Sequence, residues 1–149
     1  MVSVDYDVFI KDVLAKLKAL IAALGNYDDD PGEVYYSFVA TPSGNPAARI
    51  NLEKDGIRRR GGHAGSIAFD HEVELTIRIQ WLGGLTEAAY QTFIEYVGEI
   101  VDAIEGSRTL ASSYVNDTWI TQITYSRTPR QNAILHVAYI YLTVRGVRE

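Results

Sequence analysis

The sequence predicts an α+β fold in which two helices pack on a largely antiparallel sheet of about five strands, in the order α-β-β-β-α-β-β. Two segments repeat apolar residues at three- and four-residue spacing, which is typical of amphipathic helices. Residues 70–81 (DHEVELTIRIQW) alternate apolar and polar side chains without a break, which indicates a strand with one buried face. The first helix follows no strand, so a doubly wound nucleotide-binding fold is excluded.

The first helix is predicted over residues 5–24, where leucines, isoleucines and valines occupy one face and lysines the other. Gly25 and the asparagine after it provide a stop signal. Residues 33–40 (EVYYSFVA) and 48–53 (ARINLE) are rich in aromatic and β-branched residues. We therefore expect two strands there, paired as antiparallel neighbours through a connection too long for a tight hairpin.

Residues 54–66 (KDGIRRRGGHAGS) are predicted to form a long flexible loop, because four glycines and four basic residues leave little to bury. Such a loop either holds phosphate, docks on an acidic partner such as the acidic helix of another copy, or is a solvated tip. The glycines open no helix and no aromatic residues interleave with the arginines, so a phosphate cradle and single-strand binding are both disfavoured. The candidate assembly residues of this loop are Lys54, Arg58, Arg59, Arg60 and His63.

The polar row of residues 70–81 raises the functional question, because it mixes both charges with hydrogen-bonding groups. It suits a wet surface, a pore lining or a polar contact between subunits. The candidate residues of this face are Glu72, Glu74, Arg78 and Gln80.

The second helix is predicted to begin at a Thr86 cap and to run to about Glu105. Its apolar face includes Ile94, and its outer face is strongly acidic, with Glu95 and Glu99 as candidate contact residues. Opposite-sign patches set the register between copies of a protein, so this acidic face is a candidate partner for the basic segments.

Two closing strands are predicted over residues 119–126 (WITQITYS) and 133–145 (AILHVAYIYLTVR). Residues 127–132 are predicted to join them as a basic hairpin loop that carries Arg127 and Arg130. The last strand is apolar on both faces over much of its length, which predicts a central or interface position.

Composition bounds the function further. The 149 residues suit one domain, and the net charge of −5 disfavours generic binding to nucleic acid or anionic membranes. There is no cysteine, no apolar run long enough to span a membrane, and no phosphate-binding or nucleophile motif. The three histidines lack metal-ligand spacing, and the aspartates at 28–30 lack the spacing of a calcium loop. The sequence therefore offers no candidate catalytic residue, cofactor or metal, and catalysis is left unsupported.

The order and length of these segments resemble the tail terminator (tail completion) proteins of long-tailed bacteriophages. The resemblance lies in an N-terminal helix, two short strands and a basic glycine-rich loop, followed by HEVELTIRIQW, EAAYQTFIEYVGEIVDAI, WITQITYS and ILHVAYIYLTVRG. It covers nearly the whole chain and concerns organisation rather than an invariant signature.

The resemblance implies a structural virion protein of the tail or neck, not an enzyme, assembled in the host cytoplasm. Such proteins form a ring, commonly a hexamer, that caps the tail tube, stops its polymerisation and joins it to the head connector. The partners would be other copies, the tube protein and the connector protein, with DNA passing the lumen without specific binding. Two alternatives remain open: another connector or tube component, and a small α+β enzyme or ligand-binding domain.

Overall fold

The computed structural model describes residues 6–25, 33–34, 47–52, 58–61 and 69–148. It contains two helices and six strands, and it confirms the α+β class. The elements are α1 (Tyr6–Ala22), β1 (Glu33–Val34), β2 (Ala47–Leu52), β3 (Arg58–Gly61), β4 (Phe69–Gly83), α2 (Glu87–Gly106), β5 (Asp117–Arg130) and β6 (Ala133–Arg148).

The sheet has the strand order β1-β2-β4-β6-β5, and β3 also pairs with β4. Four strands, β2, β4, β6 and β5, pair antiparallel along the main path of the sheet, and the short strand β3 also pairs antiparallel with β4. Strands β4 and β6 pair along their whole length, from Phe69 opposite Arg148 to Gly83 opposite Ile134. The central position predicted for the last strand is confirmed, because β6 lies between β4 and β5.

The hydrophobic core lies between the two helices and one face of the sheet. The alternating row of β4 faces the helices, as the period-two pattern predicted. The second helix begins as predicted, since the Thr86 side chain accepts a hydrogen bond from the Ala89 backbone N–H at 3.2 Å. The most deeply buried large side chains are Phe9, Leu17, Ile21, Ile50, Leu75, Ile77, Ile79, Phe93, Ile100, Ile104, Ile140 and Leu142.

The predicted antiparallel pairing of the first two strands is wrong. Glu33 and Val34 pair in parallel with Arg49 and Ile50. A parallel pair needs a crossover of about a dozen residues, which the connection between the two strands provides. The rest of the predicted first strand, residues 35–40, lies outside the described residues.

The predicted loop over residues 54–66 is wrong at its centre, because Arg58–Gly61 forms strand β3. Strand β2 pairs only with Leu75–Gln80 of β4, which leaves the beginning of β4 without a partner on that side. Strand β3 fills this gap, with Arg58 opposite Glu72 and Arg60 opposite Asp70, and so satisfies backbone groups of β4. The other loop residues, including Lys54 and His63, lie outside the described residues, and the predicted flexibility stays a prediction.

The predicted hairpin loop over residues 127–132 is too long. Strand β5 continues through Arg130, and the turn contains only Gln131 and Asn132, with Asn132 in the left-handed region at φ 59°. Two-residue turns favour asparagine in that conformation. Pro129 is tolerated within β5 because β5 is an edge strand of the sheet.

Candidate functional site

The face of the sheet that points away from the helices is called the outer face. It is formed by alternate residues of the two central strands. The pairing of β4 with β6 places Glu72 opposite Arg145 and Arg78 opposite Tyr139. The outer face contains Glu72, Glu74, Thr76, Arg78 and Gln80 from β4 and Val137, Tyr139, Tyr141, Thr143 and Arg145 from β6. The four residues predicted to share a polar face therefore do so.

The outer face is densely packed, although both helices lie on the opposite side of the sheet. Thr76 is only 1% exposed and Gln80 only 3% exposed. The rings of Tyr139 and Tyr141 stack with centroids 6.3 Å apart, and Arg78 is half-buried beside them. The outer face therefore combines buried polar groups with half-buried long side chains, and it is not fully hydrated.

A groove of about 330 Å³ opens on the outer face where β5 shifts its register between Ile120 and Gln122. The Thr121 hydroxyl donates a hydrogen bond to the Tyr141 carbonyl oxygen at 3.2 Å, which bridges the irregularity. The groove is lined by Glu74, Leu75, Thr121, Gln122, Tyr141, Leu142 and Thr143. Among the described residues, the lining contains one carboxylate and no histidine, so these residues alone do not supply the paired groups of general acid–base chemistry.

The remaining candidates lie on a different surface from the outer face. Glu95 is exposed and Glu99 is half-buried on α2, on the opposite side of the sheet. Arg127 and Arg130 are exposed on β5, and the Arg127 guanidinium lies 4.4 Å from the Tyr90 ring centre of α2. The predicted contact set therefore divides into an outer-face group and a group at the α2–β5 side.

An aromatic cluster that the sequence did not reveal surrounds His136. The His136 ring stacks on Phe93 at 5.2 Å and on Trp81 at 5.7 Å, with Tyr90 at 6.1 Å between ring centroids. Burial, together with the nearby Arg127 charge, lowers the pKa of His136 below its usual value. The ring is therefore neutral near pH 7, and it connects β6 to α2 by packing.

His71 also has a packing position. Its ring is buried and stacks on Phe9 of α1 with a centroid distance of 5.3 Å. The two histidines described here thus contact aromatic rings on opposite ends of the helical layer. In the described part of the chain, no group of three histidine, aspartate or glutamate side chains is placed to hold a metal ion. Neither described helix is long and apolar enough to cross a membrane.

Comparison with known proteins adds a structural relative. No protein-family model matches this chain, and no curated protein matches it. The fold is similar to that of a chain in the virion of a native gene transfer agent (GTA) particle, with a TM-score of 0.53 and 14% sequence identity. The match covers 90% of this chain and 90% of the other chain.

Proposed function

We propose that this chain is a structural virion protein that forms a ring on the end of a phage tail tube. The observation that carries the proposal is the match to a gene transfer agent virion chain over 90% of both chains. The order of helices and strands supports it, because it resembles that of the tail terminator proteins. The ring would stop tube polymerisation and present a surface to the head connector, in the tail or neck of the particle.

A ring needs two different contact surfaces on each subunit, because a head-to-tail contact closes only after several copies have joined. This chain carries an acidic surface on α2, and three arginines of β3 lie at the opposite side of the sheet, whereas Arg127 and Arg130 lie on the same side as α2. Opposite charges on separate surfaces favour a head-to-tail arrangement over a symmetric pair. We propose a hexamer, the copy number that is common in the resembling family.

The outer face suits the wall of a channel through which DNA passes. Glu72 and Glu74 would repel phosphates, and the nearby Arg78 and Arg145 keep the net field of this surface modest. A wall of this kind lets a duplex slide, because tight binding requires many basic side chains to replace counterions. We therefore expect no sequence-specific or strong DNA binding by the assembled ring.

Tube capping tests the proposal directly. Purified chain is added to polymerising tail tubes, and tube lengths and ends are recorded by electron microscopy. We expect shorter tubes, each with a ring at one end, and no further growth after capping. Filaments formed by the chain alone would favour a tube subunit, and a chain that never joins tubes or connectors would contradict the proposal.

A variant of strand β3 extends this experiment. In a variant with Arg58→Ala, Arg59→Ala and Arg60→Ala, the paired backbone of β3 can remain while three positive charges are lost. We expect the variant to fold but to cap tubes poorly. Normal capping by the folded variant would show that these arginines only keep the segment soluble.

A further inference from the structure

An apolar strip follows the boundary between α2 and β5, and we call it the seam. Tyr90, Ile94 and Val101 share one side of α2, since helical spacing places them in line above β5. Ile94 is 40% exposed and Tyr125 of β5 is 47% exposed, although both have large hydrophobic side chains. Tyr125 contacts Phe93 edge-on at 6.5 Å, so the strip is continuous with the core.

The backbone of β5 borders the seam with an edge to which no other described strand is paired. In a two-residue hairpin, the two residues that flank the turn, here Arg130 and Ala133, form hydrogen bonds with each other. The residue that precedes this pair on the first strand therefore directs its backbone N–H and C=O away from the partner strand. Pro129 occupies this position, where its missing N–H costs nothing. The period of two then points the N–H and C=O groups of Tyr125 and Arg127 outward as well.

The charged residues near the seam indicate which kind of surface would bind it. The exposed surface of α2 beside it is acidic, with Glu87, Glu95, Asp102 and Glu105. At the far edge of the same sheet, β3 carries three consecutive arginines, and its backbone pairs with β4 on one side only among the described strands. The acidic surface of α2 and the arginines of β3 thus lie at opposite edges of one sheet, although β5 itself carries Arg127 and Arg130 near its turn. This arrangement suits a contact between the α2 side of one copy and the β3 edge of another.

We propose that the seam receives the β3 edge of a second copy of this chain, which brings the positive charge of that strand next to the acidic surface of α2. This proposal rests on the ring function and names the two edges that meet. Three contributions would stabilise this contact: hydrogen bonds between the two strand edges, burial of Ile94 and Tyr125, and attraction between opposite charges. The contact is head-to-tail, because the seam and the β3 edge are different surfaces, and it builds a ring when the rotation between successive copies closes.

Matched glutamate variants test the apolar part of the contact. Ile94→Glu places a charge in the seam, whereas Val8→Glu changes an α1 residue of similar exposure, 42%, outside it. Both variants should keep the circular dichroism spectrum and melting temperature of the wild type within a few degrees. We expect Ile94→Glu to raise the concentration for half-assembly at least about tenfold, measured by sedimentation, and Val8→Glu to leave it unchanged.

A charge exchange tests the identity of the partner edge. Arg58, Arg59 and Arg60 are changed to Glu in one variant, Glu95 and Asp102 to Lys in a second, and all five residues in a third. Each of the first two should assemble poorly, and the third should regain rings. A third variant that stays dissociated, while both parents fold, would overturn the assignment of the β3 edge.

The outcomes separate the two proposals. Wild-type rings that persist unchanged in Ile94→Glu would overturn the seam and leave the ring function standing. Rings that persist in Ile94→Glu but no longer bind tubes would show that the seam receives the tube protein instead of a second copy. A wild-type chain that neither assembles nor joins tubes would contradict both proposals.

Discussion

Gly146 of β6 lies in close contact with α1 and with the connection before β5. A Cβ added there would overlap Cε2 of Phe9 and would lie 2.5 Å from the Tyr114 carbonyl oxygen. Phe9 is fully buried against His71, which is the β4 partner of Gly146. The methyl group of Gly146→Ala therefore cannot enter without a shift of α1 or of the backbone near Tyr114.

The size of the effect follows from two opposing contributions. Forcing a methyl group into a packed core costs about 1–3 kcal/mol of unfolding free energy. Gly146 does not have a positive φ, so alanine regains about 0.4–1 kcal/mol by restricting the unfolded chain. We expect a net loss of roughly 1–2 kcal/mol, which lowers the melting temperature of a chain of this size by roughly 2–8 °C.

Gly98 provides the matched control. It lies within α2, and a Cβ added there would meet no atom within 4 Å. Gly98→Ala should therefore raise the unfolding free energy by about 0.5–1 kcal/mol, as alanine does inside a helix. Urea unfolding of both variants, followed by circular dichroism, measures the two signs. Equal stabilisation by the two substitutions would refute the close packing of Gly146 against Phe9.

Three further predictions concern single side chains. Because the pKa of His136 is lowered in the folded chain, the unfolded chain binds more protons below pH 6.5. Stability should therefore fall as the pH drops below about 6.5, and urea unfolding of His136→Phe should lose this part of the pH dependence. Thr86→Ala removes the cap of α2 and should cost about 1 kcal/mol in urea unfolding, whereas Thr86→Ser should cost little. The Ser112 hydroxyl donates to Asp12 of α1 and accepts from the Tyr114 N–H, so Ser112→Ala should lower the unfolding free energy by about 1–3 kcal/mol. An unchanged urea midpoint in Ser112→Ala would contradict the role of this bridge.

The parts of the fold that bury apolar surface were predictable from the sequence. The alternation in β4 identified the buried row that ends at Ile79, and the helical spacing placed both helices within a few residues. Thr86 was recognised because capping is a local interaction between neighbouring residues. In each case, the side chains that form the sequence pattern are the same side chains that stabilise the structural element.

The edges of the sheet were predicted poorly because their pairing depends on the backbone. Arg58–Gly61 and the end of β5 contain charged residues, glycine and Pro129, which are typical of loops in sequence. An edge strand needs little apolar surface, since it is held by hydrogen bonds to one neighbour. The parallel pairing of β1 was missed for a related reason, since two residues carry no pattern that specifies direction.

The candidate site was predicted in part. The shared outer-face position of Glu72, Glu74, Arg78 and Gln80 followed from the period of two. The groove beside Thr121 and the exposure of Ile94 depend on a register shift and on how far α2 extends over β5. These features result from packing between elements, so spacing along the chain did not reveal them.

The central claim is that this chain forms a closed ring, and the mass of the purified protein in solution tests it most directly. Native mass spectrometry of the full chain, alone and after release from capped tubes, should show one species with a fixed multiple of the 16.6 kDa chain mass. A chain that remains a monomer in both samples, or a continuous ladder of open oligomers, would contradict the claim.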